Sequence, residues 1–202
     1  MLTREDLSPP PFREREALRY AGHKTEDLPD GVRELLEQAL TEAEGVLTFS
    51  VCYDRFPIRR TGDMLRIGEM TLRSDTAARA FAGCDEVLCF AATVGAGIDR
   101  LVRRYERLSP AKALLLQGVG AERAESLCDV FCEDFSARLA GNGKVLRPRI
   151  SPGYGDLPLS LQRDIFRVLD LTRRLGLTLG EDLLMTPAKS VTAFAGIMEK
   201  DR

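Results

Sequence analysis

Apolar residues recur along the chain at two different spacings, one typical of helices and the other of strands. Helical spacing is found in residues 30–44 and 111–139, and a shorter helix is expected in residues 12–21. Residues 46–71 are rich in β-branched and aromatic side chains, which predicts two or three antiparallel strands. Together these elements predict an α+β fold, a single domain with an antiparallel sheet and several helices.

Short polar side chains mark the expected starts of several helices. Asp30, Ser74 and Ser160 each precede a helical pattern and are predicted to cap it. The helix after Ser160 is expected to continue to Arg174, and a later strand is expected to carry Ser190.

An apolar strand followed by Gly95, Gly97 and a helix has the outline of a phosphate-binding turn. The third glycine of a dinucleotide fingerprint would fall at Arg100, and the lysine of a P-loop is missing. We therefore interpret these residues as a tight turn between strand and helix, although its free backbone amides could still meet a small ligand.

The composition agrees with one globular domain, since 44% of the 202 residues are hydrophobic and 30% are charged. Consecutive prolines near the start favour an extended backbone, so residues 1–11 are expected to form a flexible arm and residues 12–202 the domain. The formal net charge of -2 implies no general attraction to nucleic acid or membranes. No apolar run approaches the ~20 residues that span a bilayer, and no signal peptide is recognisable, so a cytoplasmic protein is expected.

The five cysteines are an odd number and lie in apolar segments, which argues against the disulfide framework of a secreted protein. Cys84 lies close to Cys89, and Cys128 lies four residues before Cys132, so a metal or redox site has to be considered. Zinc ligands usually come in closely spaced pairs on turns. We favour buried free thiols that pack as small hydrophobic side chains.

A row of acidic residues runs along one face of the long helix predicted for residues 111–139. Like charges at this spacing destabilise a helix by roughly 0.2–0.5 kcal/mol per pair, so the row invites an explanation. It either meets a positively charged group of a ligand or forms a solvated acidic face. The row consists of Glu122, Glu125, Asp129 and Glu133.

One short segment, R-P-R-I-S-P-G-Y, combines two arginines with a turn that carries an aromatic side chain. Arg147 and Arg149 each present a planar fork of donors suited to a carboxylate or phosphate. Tyr154 follows Pro152 and Gly153, so its ring is expected to project from a turn. Such a pair can hold a carboxylate and a cation together, but the same residues could be solvated arginines and a packing tyrosine.

The run R-I-S-P-G-Y, followed by a helix and by L-T-L-G-E-D-L-L-M-T-P-A-K-S-V-T-A-F, resembles the activation (reactivation) domain of cobalamin-dependent methionine synthase. The stretch F-A-A-T-V-G-A-G-I-D-R and the long helix after it resemble stand-alone members of the family, so the similarity covers about residues 15–197. In that family the R-x-x-P-G-Y element lines an S-adenosylmethionine site, and an M-x-P-x-x-S-V segment packs behind it.

The resemblance implies that this chain binds S-adenosylmethionine through a small set of residues with separate roles. The implied contacts are Arg149 with the carboxylate, Tyr154 and the backbone of Pro152 and Gly153 around the adenosyl or sulfonium part, and Asp129 as the acidic contact, with Glu125 as the second choice.

The resemblance also implies a partner that holds cobalamin. In the family, the domain presents the methyl group of S-adenosylmethionine to cobalamin on the methionine synthase core, and a one-electron donor, often a flavodoxin, reduces the inactive cob(II) form. This chain lacks the early D-W-T-P element, with its acidic ligand, and the late tyrosine-containing segment of the family. It also lacks the D-x-H-x-x-G cobalamin motif and a cysteine cluster of the homocysteine-zinc kind, without which it cannot be a complete methionine synthase. It is therefore expected to be a stand-alone reactivation module, an accessory part of methionine synthase activity. The alternative is an interaction module of the same fold that docks a corrinoid protein without binding S-adenosylmethionine.

Overall fold

Two neighbouring strands, β5 (Glu86–Thr93) and β9 (Ser190–Glu199), form the centre of the fold. The computed structural model describes residues 2–23 and 28–200. Seven of the eight residues of β5 are buried, because side chains pack against both faces of the sheet. This double burial explains why β5 is an apolar run without polar alternation.

The antiparallel sheet extends from these two strands in both directions. Its other strands are β1 (Thr3–Asp6), β2 (Ser50–Thr61), β3 (Met64–Ile67), β4 (Met70–Leu72) and β6 (Lys144–Leu146). The order is β4, β3, β2, β5, β9, β6, with β1 paired to β2, so β6 lies at an edge. A separate two-stranded sheet joins β7 (Thr178–Leu179) to β8 (Met185–Thr186). The predicted α+β fold with an antiparallel sheet is confirmed.

The sheet separates two hydrophobic cores. Leu88 and Phe90 of β5 belong to one core, and Val87 and Cys89 belong to the other, as expected for alternate residues of a strand. The first core is covered by α1 (Glu14–Tyr20), α2 (Val32–Glu44), α4 (Gly97–Leu108) and α5 (Pro110–Ala140), and the second by α3 (Asp75–Ala80), α6 (Leu161–Val168) and α7 (Leu171–Leu175).

Within the described ranges, no helix combines the length and the hydropathy needed to cross a bilayer.

The long helix α5 packs against the sheet and three other helices of the first core. The helical spacing of apolar residues predicted within 111–139 is confirmed, because the stripe that this spacing defines is buried: Ala113, Leu116, Gly120, Ala124, Leu127, Phe131 and Phe135. Gly118 lies directly beneath α1, where a Cβ atom would be 2.3 Å from the backbone oxygen of Ala17. Glycine at this position therefore allows the two helices to approach closely.

The turn between β5 and α4 is also tight, as predicted. Gly95 has a φ of +79°, which favours glycine. A Cβ atom at Gly97 would lie 2.2 Å from the backbone oxygen of Val46. The glycines thus allow close packing of this turn on the segment before β2.

The start of the chain does not form the predicted loose arm. Thr3–Asp6 pair antiparallel with β2, and the side chains alternate between partly buried and exposed positions. The prediction for residues 1–11 was wrong for these four because a short polar strand at a sheet edge carries no apolar alternation. Met1 and residues 201–202, which the predicted domain bounds include, lie outside the described residues.

The predicted helix caps had different outcomes. Ser74 caps α3 by accepting a hydrogen bond from the backbone N–H three residues later, as predicted. Asp30 does not cap α2, because Gly31 in the left-handed conformation precedes that helix. Ser160 makes no capping hydrogen bond, and the single helix predicted after it is broken at Asp170, whose φ is +48°.

We expect Gly118→Ala to lower the free energy of unfolding by roughly 1–3 kcal/mol, because the new methyl group would collide with the backbone of α1. In an open helix position, replacing glycine with alanine would instead raise the free energy of unfolding by about 1 kcal/mol. A decrease in Gly118→Ala therefore indicates that α1 packs too closely for a methyl group. Urea unfolding of both proteins measures the difference. Gly45→Ala is the control and should change the free energy of unfolding little. Gly45 has a right-handed conformation at the end of α2, and a Cβ atom there would lie 3.6 Å from its nearest neighbour, an ordinary contact distance.

Candidate functional site

Two carboxylates of α5 converge on one guanidinium group. Glu125 and Asp129 are four residues apart and therefore project from the same face of the helix. The Nη2 atom of Arg149 donates to Oε2 of Glu125 at 2.8 Å and to Oδ1 of Asp129 at 2.7 Å. The structure thus brings together three of the residues that the sequence had singled out.

Arg149 is held beside the sheet by its neighbour in the chain. The backbone of Ile150 exchanges two hydrogen bonds of 2.8 Å with Phe194 of β9. Burial by itself would lower the pKa of Arg149, but its bonds to Asp129 and Glu125 outweigh this effect and raise the pKa above the ordinary value. The guanidinium therefore remains charged, and within the described residues its Nε and Nη1 form no hydrogen bond.

A second group of charges continues along α5 from this site. Glu122 is completely buried and accepts hydrogen bonds from Ser126, from Nε and Nη2 of Arg123, and from the backbone N–H of Arg13. The Nη1 atom of Arg13 then donates to Oδ2 of Asp129 at 2.8 Å. The charges on α5 therefore form one network that ends at the Arg149 cluster.

The start of the chain is fastened to α5 by the same network. Arg123 donates from Nη1 to the backbone oxygen of Pro10 at 2.6 Å and from Nη2 to that of Pro11 at 2.7 Å. Its guanidinium also lies 5.1 Å from the ring centre of Phe12. Residues 10–13 are therefore held across the helix immediately beside Asp129.

A cavity of about 550 Å³ lies next to Arg149, between α5 and the edge of the sheet. We call it the edge cavity; its lining residues are Asp129, Cys132, Glu133, Ser136, Leu146, Arg147, Pro148 and Arg149. Arg147 is exposed and makes no ion pair within the described residues, so it is a second cation facing this space. The cavity lies within the range of about 300–1,000 Å³ that is usual for small-molecule sites.

Another cavity, of about 690 Å³, lies between α6 and the β7–β8 hairpin. Its wall contains Gln162, whose buried side-chain oxygen has no hydrogen-bond partner in the described part of the chain. No lysine or arginine lines this cavity, so it offers no counter-charge to a carboxylate or phosphate. The edge cavity, where cations and carboxylates face each other, is therefore the better candidate for a charged ligand.

The loop with Tyr154 is shaped by Asp156. The carboxylate of Asp156 accepts hydrogen bonds from the backbone N–H groups of Asp75 and Thr76 and from the hydroxyl of Ser74. Bonds from Thr76 and Ser74 are the main reason that the pKa of Asp156 is lowered. These bonds fasten the loop to the start of α3.

Tyr154 itself projects from this loop, as the sequence predicted for a residue after Pro152 and Gly153. Gly153 has a φ of +89°, and the backbone N–H of Tyr154 donates to the oxygen of Ser151 in a turn. The side chain of Tyr154 is 66% exposed, whereas Pro152 is buried. None of these loop residues lines the edge cavity, so the structure does not bring Tyr154 into the Arg149 cluster.

The acidic row is not a solvated face, which was one of the two interpretations made from the sequence. Glu122 is not solvated but completely buried, and Glu125 and Asp129 are already paired with arginines of the chain. Glu133 is the member of the row that lines the edge cavity without an ion pair in the described ranges. The negative field of the row is therefore largely neutralised by internal counter-ions.

The cysteines pack as small hydrophobic side chains, as expected, and four of the five are buried. Cys132 is partly buried and lines the edge cavity, and burial raises its pKa to about 11. In the described ranges, no group of three or more histidine, cysteine, aspartate or glutamate residues could hold a metal ion.

Two arginines that matter to this site were not singled out from the sequence. Arg13 and Arg123 lie outside the motifs. Arg123 bonds to its neighbour Glu122, but the other contacts of these two arginines reach residues more than 100 positions away. No local pattern reveals such pairs. Arg147 was noted as a possible anion ligand, and its exposure beside the edge cavity supports that reading.

The architecture belongs to the α+β class in which one long helix crosses an antiparallel sheet. More particularly, the chain has the fold of a solved structure described as the MetH reactivation domain bound to AdoHcy, with a TM-score of 0.72. The superposition covers 100% of this chain and 79% of that chain at 16% sequence identity, so the likeness shows the fold alone. No protein-family model matches the sequence, and no curated protein matches it.

We expect Asp156→Asn to lower the thermal stability at pH 7, because the carboxylate at the start of α3 is lost. A carboxylate whose pKa is lowered by folding stabilises the protein fully above its unfolded pKa, and this stabilisation declines as pH falls through the folded pKa. The difference in melting temperature between the two proteins should therefore stay level near neutral pH and narrow progressively below about pH 4, the unfolded pKa of an aspartate. A difference that is constant or grows with acidity would contradict this role.

Proposed function

We propose that this chain binds S-adenosylmethionine at the edge cavity and presents its methyl group for the reductive methylation of cob(II)alamin on a partner protein. One observation carries the proposal: Arg149 and the carboxylates Glu125 and Asp129 are assembled beside a cavity of about 550 Å³. The shared fold adds support, since the solved MetH reactivation domain is described as bound to AdoHcy.

The charges around the edge cavity suit the amino-acid end of this ligand. Its carboxylate can accept from the unused donors of Arg149 and from Arg147, which has no internal partner among the described residues. Its ammonium group can donate to Asp129 or Glu133, whose carboxylates retain lone pairs. Glu125 would act indirectly, because its hydrogen bond helps to hold Arg149 in position for the ligand.

We assign the adenosyl or sulfonium part to Tyr154 and the backbone of Pro152 and Gly153. The exposed ring of Tyr154 is available for stacking on a purine or for contact with a cation. Asp156 keeps the loop in place through its bonds to α3. Because Tyr154 lies outside the lining of the edge cavity, the ligand would have to extend beyond the cavity along the loop.

The chain is proposed to act as an accessory part of methionine synthase activity. Bound S-adenosylmethionine supplies a methyl group that its sulfonium already activates for transfer. No general acid or base is needed from this chain, whose residues hold the ligand and orient its methyl group toward the partner. We propose that the partner is a cobalamin-binding methionine synthase core, served by a flavodoxin or another one-electron donor.

A second function follows from the pairing of Arg149 itself. Both hydrogen atoms of Nη2 are already used by Glu125 and Asp129, so this ion-pair cluster forms without any ligand. Such a cluster could be purely structural, and the chain would then be an interaction module that docks a corrinoid protein without binding S-adenosylmethionine.

We expect calorimetry to detect S-adenosylmethionine binding to the natural protein and a loss of at least about tenfold in Arg149→Ala. Removing a hydrogen-bonded charge from a binding site typically costs about 2 kcal/mol or more. Arg147→Ala should weaken binding as well, but less, because an exposed charge is better screened by water. Arg173→Ala, which removes an exposed arginine paired with Asp170 on α7, is the control and should bind normally.

Two outcomes would count against the proposal. Undetectable binding to the natural protein, even with the cobalamin-binding partner present, favours the interaction module. Normal binding to both Arg149→Ala and Arg147→Ala would place the ligand elsewhere on the surface.

A further inference from the structure

Arg13 is at the centre of the charge network on α5, although it belongs to none of the motifs that suggested the site. Its Nη1 atom donates to Oδ2 of Asp129 at 2.8 Å, while Nη2 of Arg149 donates to Oδ1 at 2.7 Å. Both oxygens of Asp129 are therefore engaged by guanidinium groups of the chain itself. A positively charged group of a ligand that approaches Asp129 has to share it with Arg13 or displace Arg13.

The position of Arg13 is fixed at its backbone and open at its tip. Its backbone N–H donates to the buried carboxylate of Glu122 at 3.2 Å, and its Nε donates more weakly to the same oxygen at 3.4 Å. Arg123 holds the carbonyl groups of Pro10 and Pro11 just before it. Its side chain is 44% exposed, as against 0% for Glu122. Exposed ion pairs contribute little to stability, so the guanidinium can yield its place on Asp129 while the backbone stays where it is.

The formal charges of the network cancel. Three guanidinium groups, those of Arg13, Arg123 and Arg149, face the three carboxylates of Glu122, Glu125 and Asp129. Without the charge of Arg13 the same network would carry a net charge of -1, and Asp129 would have one oxygen free. The attraction for any additional cation would then increase.

We infer that Arg13 is a specificity-determining residue, whose guanidinium neutralises the charge of Asp129 and so limits discrimination by ligand charge. This inference rests on the proposed S-adenosylmethionine site. S-adenosylmethionine carries a sulfonium charge that its demethylated form, S-adenosylhomocysteine, lacks. By neutralising Asp129, Arg13 makes the affinities of the two ligands more similar. S-adenosylhomocysteine therefore competes effectively with S-adenosylmethionine for the site.

The test compares the affinities of these two ligands in the natural protein and in Arg13→Gln by calorimetry at low ionic strength. We expect the ratio of the Kd for S-adenosylhomocysteine to the Kd for S-adenosylmethionine to rise about 3- to 10-fold in Arg13→Gln, the effect of removing one partly screened unit charge near the site. The change should shrink at high salt, because the interaction is electrostatic. Arg13→Lys, which keeps the charge, should remain close to the natural ratio.

Arg15→Gln is the matched control, since it removes the same charge from an exposed position of α1 that makes no ion pair in the described part of the chain. A ratio in Arg13→Gln no larger than in Arg15→Gln overturns the inference, and so does the loss of both ligands in a folded Arg13→Gln protein. If the natural protein binds neither ligand, the proposed function itself fails, which is a distinguishable result. Thermal unfolding of each variant verifies that it is folded.

Discussion

Burial of the Glu122 carboxylate beneath the start of the chain is the constraint on which the arrangement around α5 depends. A fully buried carboxylate is costly unless it is paired with opposite charge and hydrogen-bonded, and Arg123, Ser126 and Arg13 meet both requirements. Because Arg123 also binds the carbonyl groups of Pro10 and Pro11, the extended segment before α1 is fixed over the helix. Its fixed position brings Arg13 to Asp129.

The same helix supports the core and the candidate site. Phe131 and Phe135 of α5 pack against Tyr53 of β2, whereas Glu125 and Asp129 face Arg149 beyond the edge strand β6. Aromatic packing therefore fixes the rotation of α5 about its axis, and this rotation determines where the carboxylates project. The geometry of the site follows from the packing of the core.

Local patterns in the sequence were sufficient for most of the fold. The apolar stripe of α5 and the Ser74 cap depend on residues close together in the chain, and both were predicted correctly. The break at Asp170 was missed because a left-handed aspartate interrupts an otherwise continuous helical pattern. The strand β1 was missed because its polar residues gain order only by pairing with β2, far along the chain.

Only the part of the candidate site that depends on local spacing could be predicted from the sequence. Glu125 and Asp129 share a helix face that can be derived from their spacing, and the forked donors of Arg149 suggested a carboxylate partner. That the partner is the chain's own pair of carboxylates depends on how β6 and the following residues run beside α5. Arg13 could not be foreseen at all, since 116 positions separate it from Asp129.

The thiol of Cys132 in the wall of the edge cavity has a consequence for a site proposed to hold an alkylating ligand. Thiolates attack sulfonium methyl groups readily, but protonated thiols do not. Because burial raises the pKa of Cys132 to about 11, its thiol stays protonated at pH 7. The burial of this side chain would thus protect the protein from methylation by its own bound ligand.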